Sequence, residues 1–435
     1  MKAAPGPRGH PIFGSLREVR ADRIRFVSSL AKEYGDLAKF RIGPKTMYLI
    51  SDSQMASQVL RTNHKNYVKG LGLTHAKALL GKGLLTSEGD LWMSQRRLIQ
   101  NVFHAKLIDQ YSSVMNDEVD QILDKWQARR NEINVFDEMT QLTLRILSRT
   151  LFDIDIEDKT NLISKAFLTA VREASYRMTN MFDLSSYLPS LHSLRFRNAL
   201  RSLETLVYHL IEDRKANSLR KTDFLSLLVN APESLDKALI RDEVMTMLLA
   251  GHETTSVALS WTVVLLAKHP EYQRKLKEEI GEVSAGNYNA ASLSELTYPQ
   301  MILNEAMRLY PPVWMIPRKA KIGDEIGGCD IKRGSQVLIC VYNIHRNPHL
   351  WQQPEKFDPE RFRPGAQNHD RYQFMPFGLG PRVCIGKYFA LLQVQVFLAK
   401  MIDRFTFHET PQNSGIELDP LLTLRPKGKI LINLN

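Results

Sequence analysis

The sequence predicts a mainly α fold with a minor β portion, built as one unit over residues 1–435. Three observations lead there. The stretch 235–268 carries no proline before His269-Pro270, so as a single helix it is about 50 Å long and crosses the whole molecule. Strand-like segments are confined to two places, near residues 37–51 and 318–341. No linker divides the chain, although 435 residues exceed the usual size of one hydrophobic core, which suits a unit assembled round a buried group.

Taken in order, residues 23–34 read as a helix stopped by Gly35, and 37–40 and 47–50 flank Gly43-Pro44 as a strand pair. From Gly89 to about Leu228 the pattern is helical, with breaks at 153–159 and at 182–193, the latter containing Pro189. Past the long helix, 271–283 and 298–310 are helical, while 318–322 and 336–341 look like strands. A proline-rich irregular stretch then leads to a last helix after Cys384, with Phe389, Leu392, Val396 and Ala399 at helical spacing.

Composition excludes several classes of function. At 43% hydrophobic and 24% charged residues, with no repeat, the chain is neither disordered nor a solenoid. Cys329, Cys340 and Cys384 form no C-x-x-C spacing and no paired framework, which points to a reducing compartment. The net charge of +11 suits nucleic acid, an anionic membrane or an acidic protein, but the cations are scattered and no aromatic-basic motif accompanies them. Nucleic acid is therefore not expected as a partner, and an acidic protein is. The first fourteen residues hold no apolar run for a signal peptide or anchor, and 257–267 is too short to span a bilayer. A soluble, cytoplasmic monomer is expected.

The chemistry concentrates in a few short segments. Phe377-Gly-Leu-Gly380-Pro-Arg382-Val-Cys384-Ile-Gly386 is a glycine-rich loop running into an amphipathic helix. A cysteine at a helix start meets the positive end of the macrodipole and free N–H groups, which favour the thiolate that an iron centre needs. The glycines let backbone approach a flat macrocycle, and Arg382 suits an anionic propionate. Within the long helix, Ala250-Gly251-His252-Glu253-Thr254-Thr255 places the Thr254 hydroxyl one turn from the Ala250 carbonyl, with Gly251 allowing the helix to deform into a groove. Glu305 and Arg308 lie three apart on one helical face, and Trp92 and Arg96 four apart. A zinc-hydrolase reading of His252-Glu253 fails, because Ser256 stands where a second histidine is required.

The Cys384 loop resembles, position by position, the F-x-x-G-x-R-x-C-x-G signature of cytochromes P450. Further segments are similar to that family's motifs in the same order: W-x-x-x-R at Trp92 and Arg96, A-G-x-E-T-T at 250–255, and E-x-x-R at Glu305 and Arg308. Arg361 stands as the expected third member of the last group. Only His345-Arg346-Asn347-Pro348 departs, with Asn347 where many members carry Asp. The resemblance implies a triangular α-rich fold with haem b between the long helix and the Cys-loop helix, and Cys384 as the iron ligand. It implies propionate contacts from Trp92, Arg96, Arg318 and Arg382, and close approach to the macrocycle by Phe377, Gly380 and Gly251. Glu305, Arg308 and Arg361 take a structural role.

By the same resemblance, Thr254 with an ordered water supplies protons to bound dioxygen, and Glu253 relays them from solvent. The substrate pocket draws on Leu249, Ala250, Val313, Trp314, Met315, Ile316, Leu421 and Leu422, with the segments 66–85 and 166–181. These are mostly apolar, so an apolar small molecule is expected; the wording of residues 250–256 resembles the fatty-acid and microsomal branch, which puts a fatty acid first and a terpenoid second. The chain has neither G-x-G-x-x-G nor a P-loop, hence no reductase domain, and electrons must come from a separate ferredoxin or flavodoxin-like donor with its reductase. The alternative is a haem-thiolate isomerase or peroxygenase, or a haem-based ligand-binding protein, against which the joint presence of Glu253 and Thr254 speaks.

Overall fold

In a computed structural model, which describes residues 2–129, 132–179, 191–217, 223–231, 235–282, 288–366, 372–413 and 415–435, the chain forms eleven helices of ten residues or more. They are α1 (Arg23–Tyr34), α2 (Leu71–Leu80), α3 (Gly89–Ile99), α4 (Ala105–Arg129), α5 (Val135–Leu151), α6 (Thr160–Thr179), α7 (Leu191–Ala216), α8 (Lys237–Lys268), α9 (Pro270–Glu282), α10 (Tyr298–Leu309) and α11 (Lys387–Arg404). Of the two expected breaks, 153–159 contains a single 3-10 turn at Glu157–Lys159. The other, 182–193 with Pro189, lies outside the described residues up to 190, and α7 begins at Leu191.

The long helix α8 is the axis of the molecule. Asp236 caps it by accepting the Leu239 N–H at 2.6 Å, so it starts two residues later than expected, and it stops before His269-Pro270. Its 32 residues span about 48 Å. Between Val244 and Ala267 every residue is buried except Ala250, Gly251 and Thr254. A helix apolar all round must be enclosed, and α5, α7, α10 and α11 pack against it.

The two β-rich portions join into one five-stranded sheet. Its strands are β1 (Leu37–Ile42), β2 (Lys45–Ile50), β3 (Tyr67–Lys69), β4 (Met315–Ala320) and β5 (Gln336–Cys340), in the order β1-β2-β5-β4-β3. The β2–β5 pair is parallel and the others are antiparallel. Strand β4 begins three residues before the expected position, at Met315, and ends at Ala320, because the pairing partners of Met315 to Lys319 are Cys340 to Gln336. Ile322, expected in that strand, is exposed beyond it. A separate hairpin, β6 (Leu418–Pro420) and β7 (Leu424–Pro426), folds onto the middle of α8, where the Trp261 indole N–H donates to the Leu424 carbonyl at 3.0 Å.

One ion-pair cluster ties α10 to the irregular stretch ahead of the Cys384 loop. Arg308 forks onto Glu305 with bonds of 2.6 and 2.8 Å, and both side chains are fully buried. The remaining Arg308 donors reach the carbonyls of His345, Pro354 and Lys356 at 2.6–3.1 Å. Glu305 also accepts the Asp358 N–H at 2.9 Å and the Arg361 Nε–H at 3.3 Å. Asn347, the departure from the family pattern, accepts the His349 N–H at 2.9 Å and so closes the same stretch.

Such a cluster is held together by completeness, since removing one partner strands a buried charge. Arg308→Ala is expected to cost about 3–5 kcal/mol of unfolding free energy, read from urea denaturation. A loss below about 1 kcal/mol would assign the cluster no structural weight.

Candidate functional site

The loop carrying Cys384 is shaped by backbone bonds between its own residues. Gly378 N–H donates to Met375, Val383 N–H to Gly380 and Cys384 N–H to Phe377, at 2.9–3.1 Å. Gly380 cannot be replaced without strain: its φ is +72° and a Cβ would lie 2.0 Å from the Leu60 carbonyl oxygen. Further back, the Met375 N–H donates to His345 Nε2 at 3.0 Å, which binds the loop to the Arg308 cluster. Burial and the neighbouring Arg308 drive the His345 imidazole down to about 3, so it stays neutral and able to accept.

The sulfur stands further from the helix than its spacing suggested. Gly386 is the N-cap of α11, so Cys384 precedes it by two residues rather than opening the helix. Burial within the protein pushes the thiol above its ordinary value, opposed by the Gly386 N–H and by the charges of Arg96 and Lys387. The side chain is nonetheless accessible, because it faces an internal cavity of about 510 Å³.

The same cavity is bordered by the three partly exposed positions of α8 between Val244 and Ala267, which are Ala250, Gly251 and Thr254. Thr254 donates to the Ala250 carbonyl at 2.7 Å. Thr255, Ser260 and Thr262 back-bond in the same way, and Thr255 also borders the cavity; Thr254 differs from all three in being only partly buried. Gly251 does not break the helix. Its missing side chain instead lets α5 approach, since a Cβ would meet Leu147 Cδ1 at 2.7 Å. Glu253 departs further from expectation. It is buried, accepts the Thr423 hydroxyl at 2.6 Å and lies 3.7 Å from Arg425, so in this arrangement it does not open toward solvent.

The cations at the rim are arranged for a group with carboxylates of its own. Arg96 donates to the Val383 carbonyl at 3.0 Å and Arg318 to the Pro317 carbonyl at 3.0 Å, and among the described residues neither has an acid within ion-pair distance. Burial lowers the Arg318 guanidinium to about 10. Lys69, its direct cross-strand partner, is buried with its ammonium on the carbonyls of Leu84 and Ser87, and burial lowers it to about 6. Arg382 differs from expectation in already having a protein partner, Glu88, while its guanidinium lies 4.3 Å from the Trp92 ring centroid. A thiol on the floor, arginines without acids at the rim and apolar walls together fit a flat, dianionic macrocycle with a thiolate-binding metal.

The remaining expected lining residues, Leu249, Val313, Trp314, Met315, Ile316, Leu421 and Leu422, all border the cavity. From segment 66–85 come Lys69, Leu71, Gly72, Leu73, Ala76, Leu79, Leu84 and Leu85, and from 166–181 come Val171 and Ser175, while 180 and 181 lie outside the described residues. Phe377 borders it too, with Lys387 Nζ 5.9 Å from its ring centroid. Sequence reasoning missed Thr423, Arg425 and Glu243. The last accepts the Leu84 N–H at 3.0 Å, and its neighbour Asp242 accepts that of Lys82 at 2.7 Å, so two acids of α8 hold the turn after α2 against the cavity. None of the three stands in a short motif; each is placed by contacts with residues distant in sequence.

Comparison with known proteins agrees with this geometry. A family model described as cytochrome P450 matches residues 4–433. Cyclooctatin synthase of Streptomyces melanosporofaciens is 35% identical over 93% of this chain and 90% of its own length. Cyclooctat-9-en-7-ol 5-monooxygenase of the same organism is 32% identical over 93% and 89%. Pentalenene oxygenase of Streptomyces avermitilis is 31% identical over 93% and 91%.

Glu243 makes the hold on the turn after α2 testable. Burial raises its carboxyl to about 7 from an ordinary 4.5, and Lys69, the nearby cation, is itself driven toward neutrality at that pH. The folded state therefore binds the proton more tightly than the unfolded one. The resulting stabilisation is fully present below pH about 4.5 and is lost as pH rises through about 7. Glu243→Gln keeps an acceptor for Leu84 and is expected to gain roughly 2–3 kcal/mol over wild type above pH 7, with the gap closing toward pH 5 in thermal melts. A gap independent of pH would contradict this.

Proposed function

Because the chain belongs to the cytochrome P450 family and is a monooxygenase of apolar small molecules, we propose that it hydroxylates or epoxidises a terpenoid with haem b held on Cys384. The observation that carries this is that Cys384 and Thr254 border the same apolar cavity, together with Arg96 and Arg318, which have no acid within ion-pair distance among the described residues. The names of the relatives favour a terpenoid over a fatty acid, since they denote a cyclic alkenol and pentalenene as substrates.

Cys384 would ligate the iron, and Arg96 and Arg318 would pair with the propionates, with Trp92 and Arg382 beside them and Phe377 and Gly251 against the ring; Gly380, expected there too, abuts the Leu60 carbonyl and does not border the cavity. Bound there, haem supplies the activation of dioxygen, with two electrons from a separate redox protein, and the delivery of one oxygen atom to substrate.

The protein's own part is positioning and proton control. Leu249, Ala250, Val313, Trp314, Met315, Leu421 and Leu422 exclude water and fix which substrate carbon approaches Thr254. The Thr254 hydroxyl, now donating to the Ala250 carbonyl, can turn to donate into the cavity, and Glu253 is the adjacent acid that replenishes it. The net charge of +11, with Arg61 packed against Gly380 and Lys387 opening the helix after the Cys384 loop, favours an acidic donor such as a ferredoxin. No helix among the described residues is long and apolar enough to cross a membrane.

Two measurements test this. The reduced protein under carbon monoxide is expected to show the red-shifted Soret band of a thiolate complex, and Cys384→Ser to lose it; a wild type without the band would end the proposal. Titration with pentalenene and with dodecanoate is expected to give the larger low-spin to high-spin shift with pentalenene, and the reverse order would return the fatty acid to first place. Arg318→Ala is further expected to weaken haem retention about tenfold or more, followed by haem transfer to apomyoglobin.

A further inference from the structure

Glu253 is the acid expected to feed protons to Thr254; it borders the cavity but is buried and already engaged by Thr423. Its Oε1 accepts the Thr423 hydroxyl at 2.6 Å and faces Arg425 Nε at 3.7 Å. Arg425 is itself buried, with its guanidinium 4.8 Å from the centroid of the Phe136 ring, and its Nε makes no hydrogen bond among the described residues. His252, the neighbouring titratable group, is buried, turned to the Leu248 carbonyl and driven toward neutrality by burial. Arg425 is thus the cation facing Glu253, and Thr423 supplies its close hydrogen bond.

Thr423 belongs to the turn between β6 and β7, and the same turn carries Leu421 and Leu422, whose side chains line the cavity. The turn is short and is held from several sides. The Arg23 guanidinium donates to the Pro420 carbonyl at 2.9 Å, the Trp314 indole to the Leu421 carbonyl at 3.1 Å, and Leu421 N–H to the Thr423 carbonyl at 3.1 Å. Leu424 N–H donates to the Pro312 carbonyl at 2.9 Å. A three-residue turn pinned at both ends moves as a piece, so a molecule pressing on Leu421 and Leu422 shifts the hydroxyl that holds Glu253.

We propose that Thr423 is a positioning residue for the Glu253 carboxylate, and that the turn 421–423 communicates occupancy of the cavity to it. With the cavity free of substrate, Thr423 and Arg425 keep the acid engaged. Substrate packing against Leu421 and Leu422 loosens the hydroxyl's hold, and the acid becomes available to Thr254. The inference rests on the role given above to Glu253 and Thr254.

The balance of the reaction shows what the device protects. Productive turnover combines substrate, dioxygen, two electrons and two protons into hydroxylated product and one water. Without substrate, dioxygen with the same two electrons and two protons leaves as hydrogen peroxide. Withholding the acid from an unfilled cavity limits the second outcome.

The test uses the haem-loaded protein with its electron donor and no substrate. Thr423→Val removes the hydroxyl at constant shape and is expected to raise substrate-free dioxygen consumption and peroxide release roughly tenfold, the factor carried by one hydrogen bond to a charged acceptor. Thr423→Ser restores the hydroxyl and is expected to return both to wild-type values, and Glu253→Gln added to Thr423→Val to abolish the increase. A second measurement does not depend on turnover. In the infrared spectrum the Glu253 carboxyl band, identified by its loss in Glu253→Gln, is expected to shift in Thr423→Val, and to shift in wild type when pentalenene or dodecanoate binds.

Unchanged peroxide release in a Thr423→Val protein whose infrared band has shifted would overturn the proposal. So would failure of the serine variant to restore wild-type values. If the valine variant does not fold, an infrared band that stays fixed in wild type when either ligand produces its spin-state shift is equally decisive. A wild type without the thiolate carbon monoxide band would instead mark failure of the function itself.

Discussion

The position of Cys384 depends on one buried guanidinium. Arg308 grips Glu305 within its own helix and spends its other donors on the carbonyls of His345, Pro354 and Lys356. His345, so anchored, accepts the Met375 N–H, Met375 accepts that of Gly378, and Phe377 accepts that of Cys384. An irregular stretch that contributes little regular secondary structure is thereby given fixed coordinates relative to α10. The cost of burying the charges is offset only because nearly every donor and acceptor in the cluster is used. The sulfur can stand at a set height above the cavity floor without a helix or strand of its own to hold it.

Facing that loop, α8 reconciles two demands. It must be enclosed on all sides to serve as the axis of a large core, and it must also present a wall to a cavity. Small residues meet both. Ala250, Gly251 and Thr254 interrupt an otherwise buried surface, and the same lack of bulk at Gly251 admits Leu147 of α5. The groove therefore follows from side-chain size within a continuous helix, and no break in its hydrogen bonding is required.

Charge is distributed round the cavity by the same logic. Glu88 neutralises Arg382, whereas among the described residues no acid lies within ion-pair distance of Arg96 or Arg318. Glu253 is treated as a group to be held, between the Thr423 hydroxyl and Arg425. These contacts bring together residues up to 294 positions apart in sequence.

The helices and the motif-borne residues were legible because their signals are local. A proline-free run closed by His-Pro, a glycine stop at Gly35 and an i, i+3 acid–base pair are all read within a few residues, and helical periodicity then assigns each to a face. Register, burial and partner choice were not legible in the same way. The start of β4 at Met315 is set by its pairing with β5, the engagement of Arg382 by Glu88, and the closed attitude of Glu253 by a hairpin some 170 residues later. By itself the chain determined which side chains could perform chemistry and on what kind of element each would sit. Only the tertiary structure decided what each of them faces, because hydrogen bonds, ion pairs and desolvation act through distance in space, which local sequence does not encode.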